Sequence, residues 1–158
     1  MLKSYLMTLL IAMVPVVELR GAIPYGTLIC DPPVPLLQTY LLAIIGNLIP
    51  VPFIFRFARG FLEWGSRKRL IGSFCSWCLR KGHHAGVRLT EKSSRGLYFA
   101  LLLFVAIPIP GTGAWTGTLG ASFLDMNFKR SILAVTLGVI LSGLIIAGLS
   151  AVGINILR

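Results

Sequence analysis

A carboxylate and a guanidinium stand two residues apart in a stretch that is otherwise apolar enough for lipid. They are Glu18 and Arg20, within VVELRGAIPYG at positions 16–26. A charge at the centre of a bilayer costs about 2.5–3.5 kcal/mol on insertion scales. It persists when it faces protein or water, finds a partner, or gives up its charge. A carboxylate so held can carry a proton, because burial favours its neutral form and a neighbouring cation its ionised form. Moving Arg20 relative to Glu18 would then load or release that proton. The alternative is a static structural ion pair closing a hairpin. Arg20 could equally hold an anionic substrate, since guanidinium matches phosphate. Gly21, Pro24 and Gly26 follow at once and are expected to break the helix. Ionisable groups on broken backbone at membrane depth are the usual mark of a transport site.

A second constellation carries no charge at all. In IPIPGTGAWTG, positions 107–117, Pro108, Pro110, Gly111 and Gly113 cannot sit together in a regular helix. A helix starting near Gly113 would present free N–H groups and a positive dipole end, with the hydroxyls of Thr112 and Thr116 added. That is a cradle for an anion or a carbonyl. The competing reading is packing alone, since Gly113, Gly117 and Ala121 are four residues apart and permit close helix contact. Trp115 and Tyr25 are the aromatic candidates for a cation pocket around Glu18. Asn47, beside Pro50 and Pro52, either lines a cavity or bonds a neighbouring helix. Asp31 and Asp125 read as interfacial turn residues. Gly143, Ala147 and Ala151 read as a packing or oligomer face. Cys75 and Cys78 with His83 and His84 lack the spacing of the usual zinc sites, so no metal is expected. Three cysteines give no disulfide framework. With no triad, glycosidase-type carboxylate pair or phosphate-binding loop, neither a cofactor nor an enzyme is expected.

The elements that must position these residues follow from composition. Hydrophobic residues make up 56% of the 158 and charged residues 13%, with a mean hydropathy of +0.84. A soluble domain carries about 25% charged residues, so a single membrane domain over 1–158 is expected. Uncharged runs give spans at 36–55 and 131–157. Residues 4–17 are too short to cross before Glu18 interrupts them, and 96–124 is broken at 107–113. Both are read as re-entrant hairpins, over 1–30 and 96–125. One kinked span is the alternative for the second. The order hairpin, span, loop, hairpin, span is one unit twice. A shift of 92 residues lays Gly21-Ala22 on Gly113-Ala114 and Gly46 on Gly138. Because one unit crosses the membrane once, the second copy is inverted. The fold class is thus an all-α integral membrane protein, an inverted repeat of re-entrant hairpin plus transmembrane helix.

Charge sets the orientation. Residues 56–95 hold ten of the fifteen basic residues and two of the five acidic ones, a net +8 of the total +10. A basic block between apolar segments reads as a cytoplasmic loop of a multi-pass cell-membrane protein, with both termini outside. A secretory signal over 1–17 is disfavoured by the lack of a small-x-small cleavage site. Within the loop Phe61, Trp64, Ile71, Phe74, Cys75 and Cys78 gather on one side of a helical wheel, as for a helix lying on anionic lipid. Nothing resembles a groove-reading module, so nucleic acid is not an expected partner.

PVVELRGAIPYG, IGNLIPVPFI and LFVAIPIPGTGAWTG, in that order and spacing, resemble the small multidrug export proteins, a remote relative of the DedA membrane proteins. The resemblance covers nearly the whole chain, least of all 60–90. It implies facing re-entrant hairpins and, by way of the DedA relatives, proton-coupled movement of lipid phosphates. Those relatives carry acidic residues in the first hairpin region, where Glu18 and Asp31 stand here. They carry arginines in the second hairpin, whereas this chain has none between Arg95 and Arg130. The expected function is a small proton-coupled transporter of an anionic lipid or lipid-carrier phosphate, with Glu18 and Arg20 as coupling site and 108–117 as opposing gate. A small-molecule exporter and a non-transporting scaffold are the alternatives. Expected partners are membrane lipids, the substrate and further copies of the chain.

Overall fold

The computed structural model describes residues 2–15, 17–67, 95–109 and 111–157, and every regular element among them is helical. Helix α1 (Leu2–Met13) stops short of Pro15, whose ring cannot continue it. Helix α2 (Glu18–Pro24) runs on into a π-helical turn at Tyr25–Ile29. The first helical segment therefore breaks ahead of Glu18. Gly21 and Pro24 lie inside α2, and Gly26 inside the turn after it, contrary to the expected break. Pro24 leaves its mark differently. It has no N–H and its ring crowds the preceding turn, so the chain widens to i→i+5 bonding. The N–H of Cys30 closes that wider turn on the carbonyl of Tyr25 at 2.9 Å. The N–H of Val34 returns from the proline-rich connection to the carbonyl of Gly26 at 2.8 Å.

Helices α3 (Leu36–Leu48) and α4 (Pro50–Ser66) meet at Ile49, whose torsions stay helical (φ −53°, ψ −49°). The two together give an apolar span over Leu36–Ala58. Helix α4 thus continues past residue 55, the expected end of the span, into the stretch expected as loop. After it come α5 (Arg95–Ala106), α6 (Ala114–Phe123) and α7 (Phe128–Leu157), whose span covers Phe128–Gly153. Helix α6 ends where Asp125 turns left-handed (φ 57°) and the N–H of Met126 bonds back to Ala121 at 3.0 Å. Asn127 then caps α7, its Oδ1 accepting from the N–H of Arg130 at 3.3 Å. Cys75, Cys78, His83, His84 and most of the basic stretch lie outside the described residues, as does Pro110.

Packing is inverted relative to a water-soluble bundle. Helix α1 packs on α2 and α3, α4 on α6, and α2, α3 and α6 on α7. The interior is built largely from small and hydroxylic residues: Thr8, Ala12, Ala22, Thr39, Ala43, Thr118, Ala121 and Ser131 are all buried. Leu37, Leu41, Ile45 and Phe53 on one span, and Leu133, Leu137, Leu141 and Leu144 on the other, point outward. Large apolar side chains outside and small polar ones inside suit a lipid solvent, where close backbone approach and interhelical hydrogen bonds hold helices together. Two glycines show that approach. A Cβ on Gly46 would come within 2.5 Å of the Leu9 carbonyl, and one on Gly138 within 2.8 Å of the Leu102 carbonyl. Gly143, expected on a packing or oligomer face, is buried against the ring of Tyr40 within the chain.

Candidate functional site

Glu18 opens α2 with a left-handed backbone (φ 48°) and is 6% exposed. A glutamate in that conformation is uncommon, and such residues cluster where the surroundings hold them for a purpose. Its partners lie in the other half of the chain. Oε1 accepts the N–H of Trp115 at 3.1 Å and Oε2 the N–H of Ala114 at 3.3 Å. Those are the first two N–H groups of α6, which no residue of α6 itself can satisfy. The carboxylate thus caps a helix ninety-six residues downstream, where the helix dipole also favours a negative charge.

Arg20, half-buried, reaches across in the same way. Its Nη2 donates to the carbonyl of Thr112, and a second contact runs to Thr112 Oγ1 at 3.2 Å. Glu18 and Arg20 attract one another, yet both spend their hydrogen bonds on the 112–115 turn. The two side chains therefore join α2 to the turn ahead of α6. The Thr112 hydroxyl is itself anchored on the carbonyls of Ile107 and Ile109, each at 2.8 Å.

Glycine makes the meeting possible. Gly113 has φ 154°, in the region where L residues are rarely found, and a Cβ there would overlap Glu18 Oε2. Gly111 is also left-handed (φ 91°) and exposed. The cradle expected near Gly113 is thus real in geometry but occupied: Glu18 fills it. Sequence spacing singled out both partners and set them on opposing sides of the site, without the hydrogen bonds that join them.

The remaining expected site residues scatter. Gly21 and Pro24 sit half-buried on α2, Pro108 half-buried in the turn, and Thr116 exposed with its hydroxyl 3.4 Å from the Gly113 carbonyl. Asp31 and Asp125 are exposed. Trp115 is half-buried, with its indole nitrogen enclosed and without a partner. Asn47 is 1% exposed, and neither its amide oxygen nor its nitrogen finds a partner. No group of three or more metal-ligating side chains occurs among the described residues.

An unsatisfied buried amide costs about 1–3 kcal/mol. A residue kept at that cost for structure alone should be improved by an apolar replacement. The position 92 residues on is the buried Val139. Asn47→Val is therefore expected to raise the midpoint of thermal unfolding in detergent and to lower transport. A fall in both would make Asn47 a packing residue.

A family model described as "Putative small multi-drug export protein" matches residues 18–145. The chain belongs to that family. No curated protein and no solved structure matches it. The family match begins at Glu18 itself and takes in Arg20, Asn47 and the whole turn into α6. For this member of the small multi-drug export family, the matched region thus contains the contact between the two halves. The family's description is that of a membrane transporter, and the two apolar spans and lipid-suited surface agree with it.

Proposed function

We propose that the protein is a proton-coupled transporter built from two inverted copies of a re-entrant hairpin and a span, with Glu18 as the latch between them. The observation that carries the reading is the carboxylate of one half capping the helix of the other. An ionised Glu18 accepts both N–H groups of α6; a protonated one keeps a single good acceptor and loses the charge the helix dipole favours. Protonation therefore loosens α2 from α6 and frees one of the two N–H groups for an anionic group of the substrate, which can displace the weakened carboxylic acid from the other. Arg20 adds a guanidinium to a hairpin that has no arginine of its own between Arg95 and Arg130.

Several pairings support the inverted repeat. Helix α2 packs on α7 as α6 packs on α4. Tyr5 donates to Gln38 between α1 and α3, while Tyr98, one residue off the 92-residue shift, has its ring 5.9 Å from the guanidinium of Arg130, the equivalent of Gln38. Gly46 meets α1 as Gly138 meets α5. Arg20 and Thr112, 92 residues apart, touch directly, as equivalent residues do beside a two-fold axis. Helices α1 and α5, twelve residues each, reach about 18 Å, too short for a ~30 Å core.

The orientation in this reading puts residues 56–95 in the cytoplasm of a cell-membrane protein. Cysteines introduced at both ends of 96–124, in a chain lacking the native three, should label from the same face. Labelling from opposite faces would make that stretch a kinked span. For the substrate, a lipid phosphate follows the DedA resemblance and the freed N–H groups, whereas the family's description favours a small molecule. Proteoliposomes with an imposed pH gradient separate them. Gradient-driven movement of a fluorescent phosphate-bearing lipid supports the first, that of a cationic dye the second, and movement of either without regard to the gradient overturns the coupling.

A further inference from the structure

One groove lies away from the latch. Four residues of α5 line it at helical spacing, Arg95, Tyr98, Phe99 and Leu102, and four of α7 at the same spacing, Arg130, Leu133, Ala134 and Leu137. Its volume is about 550 Å³, within the range of small-ligand sites. Both guanidiniums stand at the end where the two helices begin, and below them the lining is apolar. Phe99 and Leu133 are more than half exposed there. No carboxylate lines the groove among the described residues.

The polar end is organised. Tyr98 lies under the guanidinium of Arg130 at 5.9 Å, a cation–π distance. The Tyr98 hydroxyl also accepts the N–H of Asn127 at 3.1 Å, tying the ring to the start of α7. We infer that this groove is a binding site for an anionic phospholipid, its phosphate between Arg95 and Arg130 and an acyl chain along α5 and α7.

Three observations choose that occupant. Two guanidiniums suit a phosphate, which guanidinium forks match in geometry as well as in charge. Seven residues of each helix give an apolar wall about 10 Å long, reaching from headgroup level into the acyl region. A second copy of the chain is a poor fit. It carries fifteen basic residues against five acidic ones, and Glu18, one of those five, is buried. The corresponding face of the first half is weaker: under the 92-residue shift Lys3 and Gln38 stand where Arg95 and Arg130 do, so it carries one ammonium in place of two guanidiniums. Among the described residues the guanidinium pair thus belongs to the α5–α7 groove, whose headgroup end follows the basic stretch in sequence, so it reads one leaflet.

The test uses the full chain in a nonionic detergent and native mass spectrometry of lipid adducts. The titrants are phosphatidylglycerol, phosphatidylcholine with the same chains, and inorganic phosphate. Arg95 and Arg130 are exposed, so R95Q/R130Q should keep its helix content by circular dichroism. Wild type should prefer phosphatidylglycerol. The double variant should bind it about tenfold more weakly, with phosphatidylcholine unchanged. K129Q, one residue from Arg130 but not in the groove, should behave as wild type. Equal affinity for the two lipids, wild-type binding by R95Q/R130Q, or an equal loss in K129Q would overturn the inference. So would displacement of phosphatidylglycerol by inorganic phosphate at equal concentration, which would mark a free-anion site.

Discussion

Glu18→Gln is expected to abolish gradient-driven transport while leaving a helical, inserted protein. The glutamine keeps the shape and one carbonyl oxygen, which can still take the N–H of Trp115 or of Ala114. Its amide group is a donor and would face the other N–H, so one hydrogen bond to a charged group is lost. Bonds of that kind are worth about 1.5–3 kcal/mol, enough to lower the unfolding midpoint without unfolding the protein. What the substitution removes completely is the ability to exchange a proton at the joint between the halves. Glu18→Asp keeps the charge at a shorter reach and should retain part of the activity. The measurement is uptake into proteoliposomes under an imposed pH gradient, for wild type, Glu18→Gln and Glu18→Asp at equal protein content. Wild-type rate and pH dependence in Glu18→Gln would reduce Glu18 to a cap and end the latch mechanism.

How far the sequence reveals this site depends on which physical signal each residue leaves. Glu18 and Arg20 stand out because charge in an apolar run is costly wherever the run folds. The break at 107–113 stands out because proline and glycine act on their own backbone, and the helices on either side, α5 and α6, begin and end around it. The two spans are legible from length and hydropathy alone. Pro24 misleads for an instructive reason. Its local effect is real, but seven residues into α2 the chain has a softer response than breaking, a turn of π-helix. The meeting of Glu18 with the N–H groups of Ala114 and Trp115 has no local signature, since it joins residues nearly a hundred apart. A hint does exist in the weak 92-residue echo, which aligns Arg20 with Thr112. In a two-fold arrangement, aligned residues near the axis must face each other. The groove between α5 and α7 was equally hidden, because Arg95 reads only as the end of the basic stretch and Arg130 as the foot of the last span until two helices bring them side by side.

Gly113→Ala is expected to be the most disruptive single-methyl change among the described glycines. Two costs combine at that position. The backbone torsion (φ 154°) is one that L residues rarely adopt, and such strain costs about 1–3 kcal/mol. The added Cβ would also overlap Oε2 of Glu18, an oxygen that cannot yield freely while it holds the N–H of Ala114 at 3.3 Å. The carboxylate should therefore be expelled from the start of α6, leaving two buried N–H groups and an uncapped charge. Transport should be lost together with several degrees of thermal midpoint in detergent. The single variant alone would not separate the torsion from the overlap, but a cycle with Glu18→Ala does. Removing the carboxylate relieves the overlap and leaves the torsional cost, so Gly113→Ala should be milder in the Glu18→Ala background by about 0.5–3 kcal/mol, the range for residues in contact. Strict additivity of the two substitutions would mean that Glu18 does not occupy the cradle beside Gly113, and the joint between the halves would have to be sought elsewhere.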